Sequence, residues 1–408
     1  MEPNTKTEPE SAQAVQDSPE NEERLLESNW MEVVERFEDM GLKKDLIRGI
    51  FGYGFVKPSA IQQKGIMPLI KKKDTIAQAQ SGSGKTATFA IGVLQNVDFS
   101  DLKTQALIIA PTRELALQIF DVVKGLGVYL KAQVHLCTGG TQVAEDKKRL
   151  KEGVHVVVGT PGRIRDMMNR QILDSAYLKM LIIDEADEML GMGFLEQINE
   201  IIKLIPPDCQ IGLFSATIPV DIIKLTESIM NNPAKILVKK ENLTLEGIKQ
   251  YYLSCSNDNN KYDNLYEIFS NIDVNQCIIY CNTKEKAERL AEQMREKDFM
   301  VSCIHGSMPQ ETRNQVMKEF REGASRILIS TDLLARGIDV QQVGLVINLE
   351  LPSKKENYIH RIGRSGRYGR QGIAINLVSA HEANYLIEIQ EFYHTQIVTL
   401  PSDLAELN

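Results

Sequence analysis

The stretch DTIAQAQSGSGKTATFAIGVLQ, residues 74–95, contains a short apolar run, a glycine-rich turn and a helical pattern in direct succession. Within it, AQSGSGKT (79–86) matches the phosphate-binding loop from its glycine-lysine end, with Ala79 where the general pattern has its first glycine. A strand before such a loop and a helix after it are the context that the motif requires. The stretch therefore predicts a nucleotide-binding α/β domain.

Each residue type in this loop has a physical reason to be there. Gly82 and Gly84 let backbone N–H groups surround the phosphates, and the N-terminus of the following helix adds its dipole. Lys85 is expected to reach the β and γ phosphates, and Thr86 is expected to ligate Mg²⁺. The predicted nucleotide contacts in the loop are Ala79, Gln80, Ser81, Gly82, Ser83, Gly84, Lys85 and Thr86.

Short β-branched runs separated by helix-length segments fill the rest of the chain. The first series is DTIAQAQ, QALIIAPT, VHVVVGT, MLIIDEAD and QIGLFSAT, and the second is QCIIYCNT, FMVSCIHG, SRILISTD, LVINLELP and GIAINLVSA. Apolar runs of this length predict buried parallel strands joined by crossover helices. We therefore predict an α/β fold in which one layout occurs twice, with a first domain at 29–238, a charged linker at 239–247 and a second domain at 248–408.

Composition and net charge indicate the class of protein and its compartment. Hydrophobic residues make up 43% and charged residues 25% of the 408 residues, without a signal peptide or an apolar run long enough to span a membrane. The net charge is −8, but residues 1–28 contain eight acids against Lys6 and Arg24, so the remainder is nearly neutral. We predict a disordered acidic tail at 1–28. The six cysteines lack paired CxxC spacing and are predicted to be buried free thiols of an intracellular protein.

Three carboxylates in four positions end the stretch MLIIDEAD (180–187). Burying acids at the end of a strand is unfavourable unless they meet a cation. A magnesium site removes the difficulty, because Asp184 then holds Mg²⁺ through its water shell while Glu185 orients and deprotonates the attacking water. The alternative is an acidic, solvated helix start, which the helix dipole also favours.

Two stretches point to different bases for the nucleotide. In GFVKPSAIQQ (54–63), the ring of Phe55 is able to stack on a base and the amide of Gln62 is able to hydrogen-bond to it. NKYD (260–263) has the form of the guanine-reading element of GTPases. We discount the guanine reading because NKYD lies in the polar run SNDNNKYDN beyond the domain boundary and follows no apolar strand.

Taken together, these motifs resemble those of the DEAD-box RNA helicases, whose name residues 184–187 spell. The similarity runs from about Phe37 to the C-terminus. In the first domain PTRELA (111–116), the pair Gly139 and Gly140, TPGR (160–163) and SAT (215–217) resemble family elements, and in the second CNT (281–283), STDLLARGID (330–339) and HRIGRSGR (360–367) do. The resemblance implies two tandem RecA-like domains, each a mostly parallel sheet flanked by helices.

The resemblance also implies roles for individual residues, with ATP and Mg²⁺ as cofactors. To the nucleotide contacts it adds Phe37, Phe55, Lys57, Gln62, Gly337 and Asp339. It implies contacts with the RNA backbone for Thr112, Arg113, Gly140, Thr160, Arg163, Asn282, Thr283 and Thr331. It implies coupling between the domains through Asp187, Ser215, Thr217 and His360. The RNA contacts are mostly hydroxyls, amides and backbone N–H groups, which position the sugar-phosphate backbone without reading the bases.

The stretch HRIGRSGRYGR (360–370) has four arginines at every third position, Arg361, Arg364, Arg367 and Arg370. A planar arginine supplied from outside the phosphate loop stabilises the charge that develops on a transferred phosphoryl group. By the resemblance, Arg364 and Arg367 complete a catalytic set with Lys85, Asp184 and Glu185. Arg370 lies outside the motif and is expected to be solvated. Because the arginines and the phosphate loop belong to different domains, both domains must close on one ATP.

Two roles within the family remain open from the sequence. The stretches ESNWMEVVERFEDM, VKKENLTLEGIKQ and LPSDLAEL are most similar to members that act in translation initiation. This similarity implies an ATP-dependent helicase that unwinds RNA structure in the 5′ untranslated region of mRNA during cap-dependent initiation, as a cytoplasmic monomer that assembles with an initiation scaffold and the cap-binding complex. The alternative is an ATP-gated RNA clamp of the exon junction complex type, acting in mRNA processing in the nucleus. A third hypothesis is a P-loop ATPase that acts on protein or DNA.

Overall fold

A computed structural model describes residues 28–79, 82–236, 248–272, 275–332, 343–365, 372–401 and 404. These residues form two sheets of seven parallel strands each, which confirms the predicted α/β class. Except for Ser28, the predicted tail lies outside the described residues, and so does the predicted linker. Five residues of the predicted site also lie outside them: Gln80, Ser81, Gly337, Asp339 and Arg367.

The first half of the chain contains seven strands, nine α-helices and a short 3-10 helix (Phe37–Met40) among the described residues. The strands are β1 (Thr75–Gln78), β2 (Ala106–Ile109), β3 (Val134–Cys137), β4 (Val156–Gly159), β5 (Met180–Asp184), β6 (Gln210–Ser215) and β7 (Ala234–Ile236). The helices are α1 (Lys44–Gly52), α2 (Ala60–Ile70), α3 (Lys85–Asn96), α4 (Arg113–Leu126), α5 (Val143–Glu152), α6 (Pro161–Asn169), α7 (Ala186–Gly191), α8 (Leu195–Leu204) and α9 (Val220–Ile229).

The second half contains seven more strands and five α-helices among its described residues. The strands are β8 (Ile248–Cys255), β9 (Gln276–Tyr280), β10 (Val301–Ile304), β11 (Ile327–Ser330), β12 (Val343–Asn348), β13 (Gly372–Ser379) and β14 (Val398–Thr399). The helices are α10 (Asp258–Asn271), α11 (Lys284–Glu296), α12 (Gln310–Arg321), α13 (Lys355–Ile362) and α14 (Ala383–Tyr393).

The two sheets have the same topology. The strand order is β3-β4-β2-β5-β6-β1-β7 in the first and β10-β11-β9-β12-β13-β8-β14 in the second. Numbered within its own half, each order reads 3-4-2-5-6-1-7. In both sheets the second and fifth strands are neighbours, and the chain leaves the second towards one edge of the sheet and the fifth towards the other edge. Open α/β sheets form binding crevices at such a point. The prediction of one layout used twice is therefore confirmed.

All ten predicted strands are present, but four strands were missed. β3 and β7 are the edge strands of the first sheet, β14 is an edge strand of the second, and β8 lies next to β14. Only one residue of β3 is fully buried, β7 and β14 are three and two residues long, and only two of the eight residues of β8 are buried. An edge strand is covered less completely than a central one, so it lacks the continuous apolar run on which the prediction relied.

Both faces of each sheet are buried, which explains the apolar central strands. In β2, Ala106 and Ile108 belong to the core beneath α1 to α4, whereas Leu107 and Ile109 belong to the opposite core beneath α6 and α8. This alternation is the period of a strand expressed between two layers of helices. All six cysteines are buried and free, as predicted, and burial raises the pKa of Cys281 to about 12. Among the described residues, no helix is both long and apolar enough to cross a membrane.

Candidate nucleotide site and interdomain cleft

The predicted nucleotide-binding motifs meet at the carboxyl ends of three neighbouring strands. The phosphate loop follows β1, the acidic motif follows β5, and Ser215 ends β6, with β6 paired to both of the others. Because all three strands are parallel, their carboxyl ends lie at one edge of the sheet. The backbone N–H of Ala79 donates to the carbonyl of Ser215 (3.0 Å), which ties the start of the loop to this edge.

The phosphate loop turns through two glycines before α3 begins at Lys85. Gly82 has φ 81° and Gly84 has φ 103°, values that residues with a side chain rarely adopt. The carbonyl of Gly84 accepts from the backbone N–H of Thr88 (3.0 Å) and from its hydroxyl (2.9 Å), so the first turn of the helix is closed. The described part of the loop thus has the backbone form that the glycines predict.

Lys85 and Glu185 are brought together from the loop and the acidic motif. The Nζ of Lys85 lies 3.2 Å from Oε1 of Glu185, and both side chains are about 5% exposed. Glu185 has φ 50° and ψ 52°, a left-handed conformation that is uncommon for glutamate. Strained backbone of this kind concentrates at functional sites. The sequence pattern placed both residues at the site but gave no indication that they pair directly.

The surroundings of Asp184 raise the pKa of its carboxyl group well above the usual range. It is 2% exposed, and burial together with the charge of Glu185 raises its pKa to about 7. The backbone N–H of Glu185 donates to its Oδ1 at 3.0 Å. Two buried carboxylates beside one lysine favour a further cation, and the hydroxyl of Thr86 stands in the first turn of α3. Oxygen donors of this kind suit Mg²⁺, so the residues present fit the predicted ion.

The predicted adenine-reading segment lies against the phosphate loop. The amide of Gln62, which is 2% exposed, accepts from the backbone N–H of Ser59 (2.9 Å) and donates to the carbonyl of Gly84 (3.4 Å). Phe55 is half-buried and stacks on Tyr53 with ring centroids 5.5 Å apart, and Lys57 is exposed. Phe37 has no exposed surface and packs in the core, so its predicted contact with the nucleotide stays a prediction.

Four residues predicted to couple the domains are found together. The carboxylate of Asp187 accepts hydrogen bonds from the hydroxyls of Ser215 (2.6 Å) and Thr217 (2.5 Å). From the second domain, Nε2 of His360 lies 3.4 Å from Oδ2 of Asp187, and both side chains are under 5% exposed. The last acid of the motif therefore connects β6 of the first domain to α13 of the second.

Two of the four arginines of the 360–370 stretch, Arg361 and Arg364, lie among the described residues, and both are buried. Arg361 is fully buried inside the second domain, where it forms an ion pair with Asp332 and donates to the carbonyl of Glu350 (2.7 Å) and the Oδ1 of Asn282 (2.7 Å). Arg364 is 3% exposed, and its Nε donates to the carbonyl of His360 (3.0 Å). No role was predicted for Arg361 from the sequence. It organises the loops on which the predicted second-domain RNA contacts are carried.

The predicted RNA contacts of the first domain gather around the ends of β2, β3 and β4. Thr112 caps α4 by accepting from the backbone N–H of Leu115 (3.3 Å), Gly140 has φ 85° and follows β3, and Thr160 precedes α6. The two arginines of this set also have partners within the protein. Arg163 pairs with Asp146 and Thr141, and a Cβ added to Gly140 would overlap the guanidinium of Arg113.

Arg113 also takes part in a contact between the domains that the sequence did not reveal. Its Nη1 donates to Oε1 of Gln310 at the start of α12 (3.1 Å). Beside it, Glu114 lies 3.3 Å from Arg313, and both side chains are 10% exposed. Burial and the nearby charge of Arg313 lower the pKa of Arg113. We call these four residues the α4–α12 clasp: Arg113, Glu114, Gln310 and Arg313. Only their spatial proximity reveals it, since the pairs are almost 200 positions apart.

The predicted RNA contacts of the second domain follow the neighbouring strands β9 and β11. Thr283 caps α11 by accepting from the backbone N–H of Lys286 (3.3 Å), and Thr331 is half-buried after β11. Asn282 also organises its loop. Its amide donates to the carbonyl of Leu351 (2.9 Å) and accepts from Arg361, while its backbone N–H donates to Glu350 (2.9 Å). The second N–H of the amide leaves its predicted contact with RNA as a prediction.

The rejected guanine-reading stretch does not form a base-binding loop. NKYD lies inside α10, and Lys261 of this stretch is 2% exposed and forms an ion pair with Glu382. An amine committed in this way does not stack on a base. The structure therefore agrees with the choice of the adenine-reading segment beside the phosphate loop.

The fold and the site together define a class: a two-domain P-loop ATPase built from tandem RecA-like domains that close on one cleft. The description "DEAD/DEAH box helicase" matches residues 59–225, and "Helicase conserved C-terminal domain" matches residues 260–369. The chain belongs to the DEAD-box helicase family. Eukaryotic initiation factor 4A of Drosophila melanogaster is 53% identical over 94% of this chain and 96% of its own length. The ATP-dependent RNA helicase eIF4A of Kluyveromyces lactis is 54% identical over 95% and 98%.

This protein is also similar to solved structures of Saccharomyces cerevisiae Dbp5 in two complexes. Dbp5 bound to RNA and ADP BeF3 is 34% identical, with a TM-score of 0.86 over 91% of this chain and 97% of that one. Dbp5 bound to Nup159, Gle1, IP6 and ADP is 32% identical over 90% and 97%, with a TM-score of 0.63. By TM-score this protein is more similar to the RNA-bound complex than to the complex with Nup159, Gle1, IP6 and ADP.

Proposed function

We propose that this protein is an ATP-dependent RNA helicase that acts in translation initiation. The observation that carries the proposal is the contact of Asp187 with Ser215 and Thr217 on one side and with His360 on the other. This contact joins the acidic motif to the second domain only when the cleft is closed. A nucleotide that stabilises the closed state therefore controls the binding of RNA between the two domains.

In the proposed reaction, Lys85 binds the phosphates and Glu185 positions and deprotonates the attacking water. Asp184 and Thr86 would hold Mg²⁺, which when bound neutralises phosphate charge and polarises the transferred group. Arg364 and Arg367 stabilise the charge that develops on that group from the second domain. Phe55, Lys57 and Gln62 form the adenine side of the site. The carboxylate of Glu185 is held directly after β5, beside Lys85 of the phosphate loop, which places it next to the expected position of the phosphates.

We propose that RNA lies across the edges of both sheets. Thr112, Gly140 and Thr160 would contact the strand in the first domain, and Thr283 and Thr331 in the second. Hydroxyls and backbone N–H groups recognise sugar and phosphate and are indifferent to the base. Arg113 and Arg163 contribute by shaping this edge, since their guanidinium groups are engaged within the protein. A strand that must bend at the closing cleft is incompatible with a duplex, so closure would separate short helices.

The initiation role is favoured over the exon junction alternative by the relatives named initiation factor 4A at 53–54% identity along nearly the whole chain. On this basis we propose mRNA as the substrate, an initiation scaffold and the cap-binding complex as partners, and the cytoplasm as the site of action. We propose further that the protein alone is monomeric and that its domain boundaries lie at 29–238 and 248–408.

The test is ATP hydrolysis and duplex separation by the purified full chain. We expect hydrolysis to rise when single-stranded RNA is added and not when DNA of the same sequence is added, and a short RNA duplex to separate with continued turnover. Stimulation by DNA would favour the general P-loop ATPase. Stable retention of RNA after a single slow turnover would favour the clamp.

A further inference from the structure

Another buried acid, outside the motifs of the ATP site, lies in the first turn of α5. Asp146 is 2% exposed, and each of its carboxylate oxygens has a partner. Oδ1 lies 2.9 Å from Nε2 of His135 on β3, and Oδ2 forms an ion pair with Arg163 on α6. A buried carboxylate is stable only when it is paired in this way. Asp146 on α5 therefore holds the guanidinium of Arg163 on α6 in place, while its other oxygen contacts His135 on β3.

Arg163 also forms hydrogen bonds to the turn that follows β3. Its Nη1 donates to the hydroxyl of Thr141 (3.3 Å), and its Nη2 donates to the carbonyl of Thr141 (2.8 Å). The hydroxyl of Thr141 in turn donates to the carbonyl of Thr138 (2.9 Å). The turn from Thr138 to Thr141 is thereby held closed, with Gly140 at φ 85° inside it.

The other side of the same turn rests on Arg113. A Cβ on Gly139 would lie 3.1 Å from Nη2 of Arg113, and Arg113 itself reaches Gln310 of the second domain. The turn is thus held between one arginine fixed by Asp146 and another fixed by the α4–α12 clasp. Its conformation depends on both.

We propose that Asp146 is a positioning residue for RNA: it orients Arg163, and Arg163 holds the 138–141 turn in the form that meets the strand. The inference rests on the proposed function, because it assumes that Gly140 contacts RNA. Asp146 touches neither nucleotide nor RNA. His135 fixes the second carboxylate oxygen and so sets the plane in which Arg163 is held.

The experiment measures RNA-stimulated ATP hydrolysis by the full chain, with the KM for RNA determined separately from kcat. Asp146→Ala is expected to raise the KM for RNA roughly tenfold, the effect of losing a charge-assisted hydrogen bond, and to leave ATP affinity without RNA unchanged. Asp146→Asn retains a donor and an acceptor and is expected to stay within about threefold. The matched control is Glu152→Gln, which removes the exposed ion pair with Arg149 from the same helix and should change nothing.

Two further variants separate positioning from a general loss of structure. In an Arg163→Gln background, Asp146→Ala should have no further effect on the KM for RNA, because the acid acts through that arginine. If Asp146→Ala does not fold, Thr141→Ala decides, since at an exposed position it removes the hydroxyl that accepts from Arg163, keeps the carbonyl, and should raise the same KM by about threefold. Additive effects, or a change in kcat with unchanged KM for RNA, would overturn the inference. Absence of RNA stimulation in the unmodified protein would instead overturn the proposed function.

Discussion

Gly140 shows how a single residue sets the geometry of the cleft. Its φ of 85° is accessible to glycine, and its missing Cβ leaves room for the guanidinium of Arg113. We expect Gly140→Ala to displace Arg113, to weaken the α4–α12 clasp and to raise the KM for RNA severalfold. The control is Gly323→Ala, which has a similar φ of 77° but open space around the added Cβ. Equal effects of the two variants on RNA-stimulated hydrolysis would mean that backbone strain, and not the clash, is responsible.

Lys85 and Glu185 are expected to act in different steps, Lys85 in ATP binding and Glu185 in hydrolysis. Lys85→Ala should lose ATP affinity, because it removes the cation beside the phosphates and leaves Glu185 buried without its lysine. Glu185→Gln keeps the size of the side chain, so ATP should still bind while hydrolysis falls by about a hundredfold to ten-thousandfold. Nucleotide affinity by fluorescence titration and single-turnover rates measure the two effects. The same loss of affinity in both variants would refute this division of roles.

At the scale of elements, the decisive contact is between α4 and α12. Glu114 and Arg313 form an ion pair 3.3 Å apart with little exposure, and each belongs to a different domain. Reversing one charge, in Glu114→Arg or Arg313→Glu, should lower RNA-stimulated hydrolysis at least about tenfold, because two like charges would then be buried together. The double reversal should recover much of the rate. Lys318→Ala, which removes an exposed pair on α12 itself, serves as the control.

The absence of recovery in the double reversal would show that these residues act separately and not as a pair. The measurement is the rate at saturating RNA and ATP for the three variants and the control. Because the pair lies at the helix N-termini, beside Arg113 and Gln310, the effect on closure should appear without a change in the affinity of the first domain for ATP.

At the scale of the molecule, hydrolysis depends on two domains with separate cores. The first sheet is covered by its own two hydrophobic clusters and the second by another two, so each half should fold alone. A fragment ending within residues 237–247 should bind MgATP weakly and hydrolyse it at least about a thousandfold more slowly, because Arg364 and Arg367 are absent. Adding the second half in trans should restore little, since the linker supplies an effective concentration of about millimolar. Hydrolysis by the fragment at the rate of the whole chain would contradict the two-domain mechanism.

The salt dependence of RNA binding is a second property of the whole molecule. The net charge is −8, and the cationic side chains of Arg113 and Arg163 are engaged by Gln310 and Asp146. Few counterions are then released on binding, so the logarithm of the affinity should fall only slowly with the logarithm of salt concentration. Equilibrium titration of single-stranded RNA at several salt concentrations tests this. A slope of about −6 or steeper would mean that a basic surface contributes after all.

The sequence by itself determined the class of the fold and the principal chemical residues. Central strands such as β2 and β5 are recognisable because each is buried on both faces and is therefore apolar throughout. The residues at the ends of β1, β5 and β6 are recognisable because local backbone chemistry specifies them: glycines where φ is positive, and acids after a buried strand. The less covered strands β3, β7, β8 and β14 lack that signal, since partial exposure removes the need for a continuous apolar run.

Only the tertiary structure decided which partner each polar side chain has. Arg113, Arg163 and Asn282 carry the right residue types for RNA contacts, but they are engaged by Gln310, Asp146 and Arg361. Phe37 is aromatic and upstream of the adenine side, but it is enclosed in the core. The physical reason is the same in each case. A hydrogen bond or an ion pair forms between groups that the chain topology brings within a few ångströms, and that distance is set by the packing of sheets and helices and not by separation along the sequence.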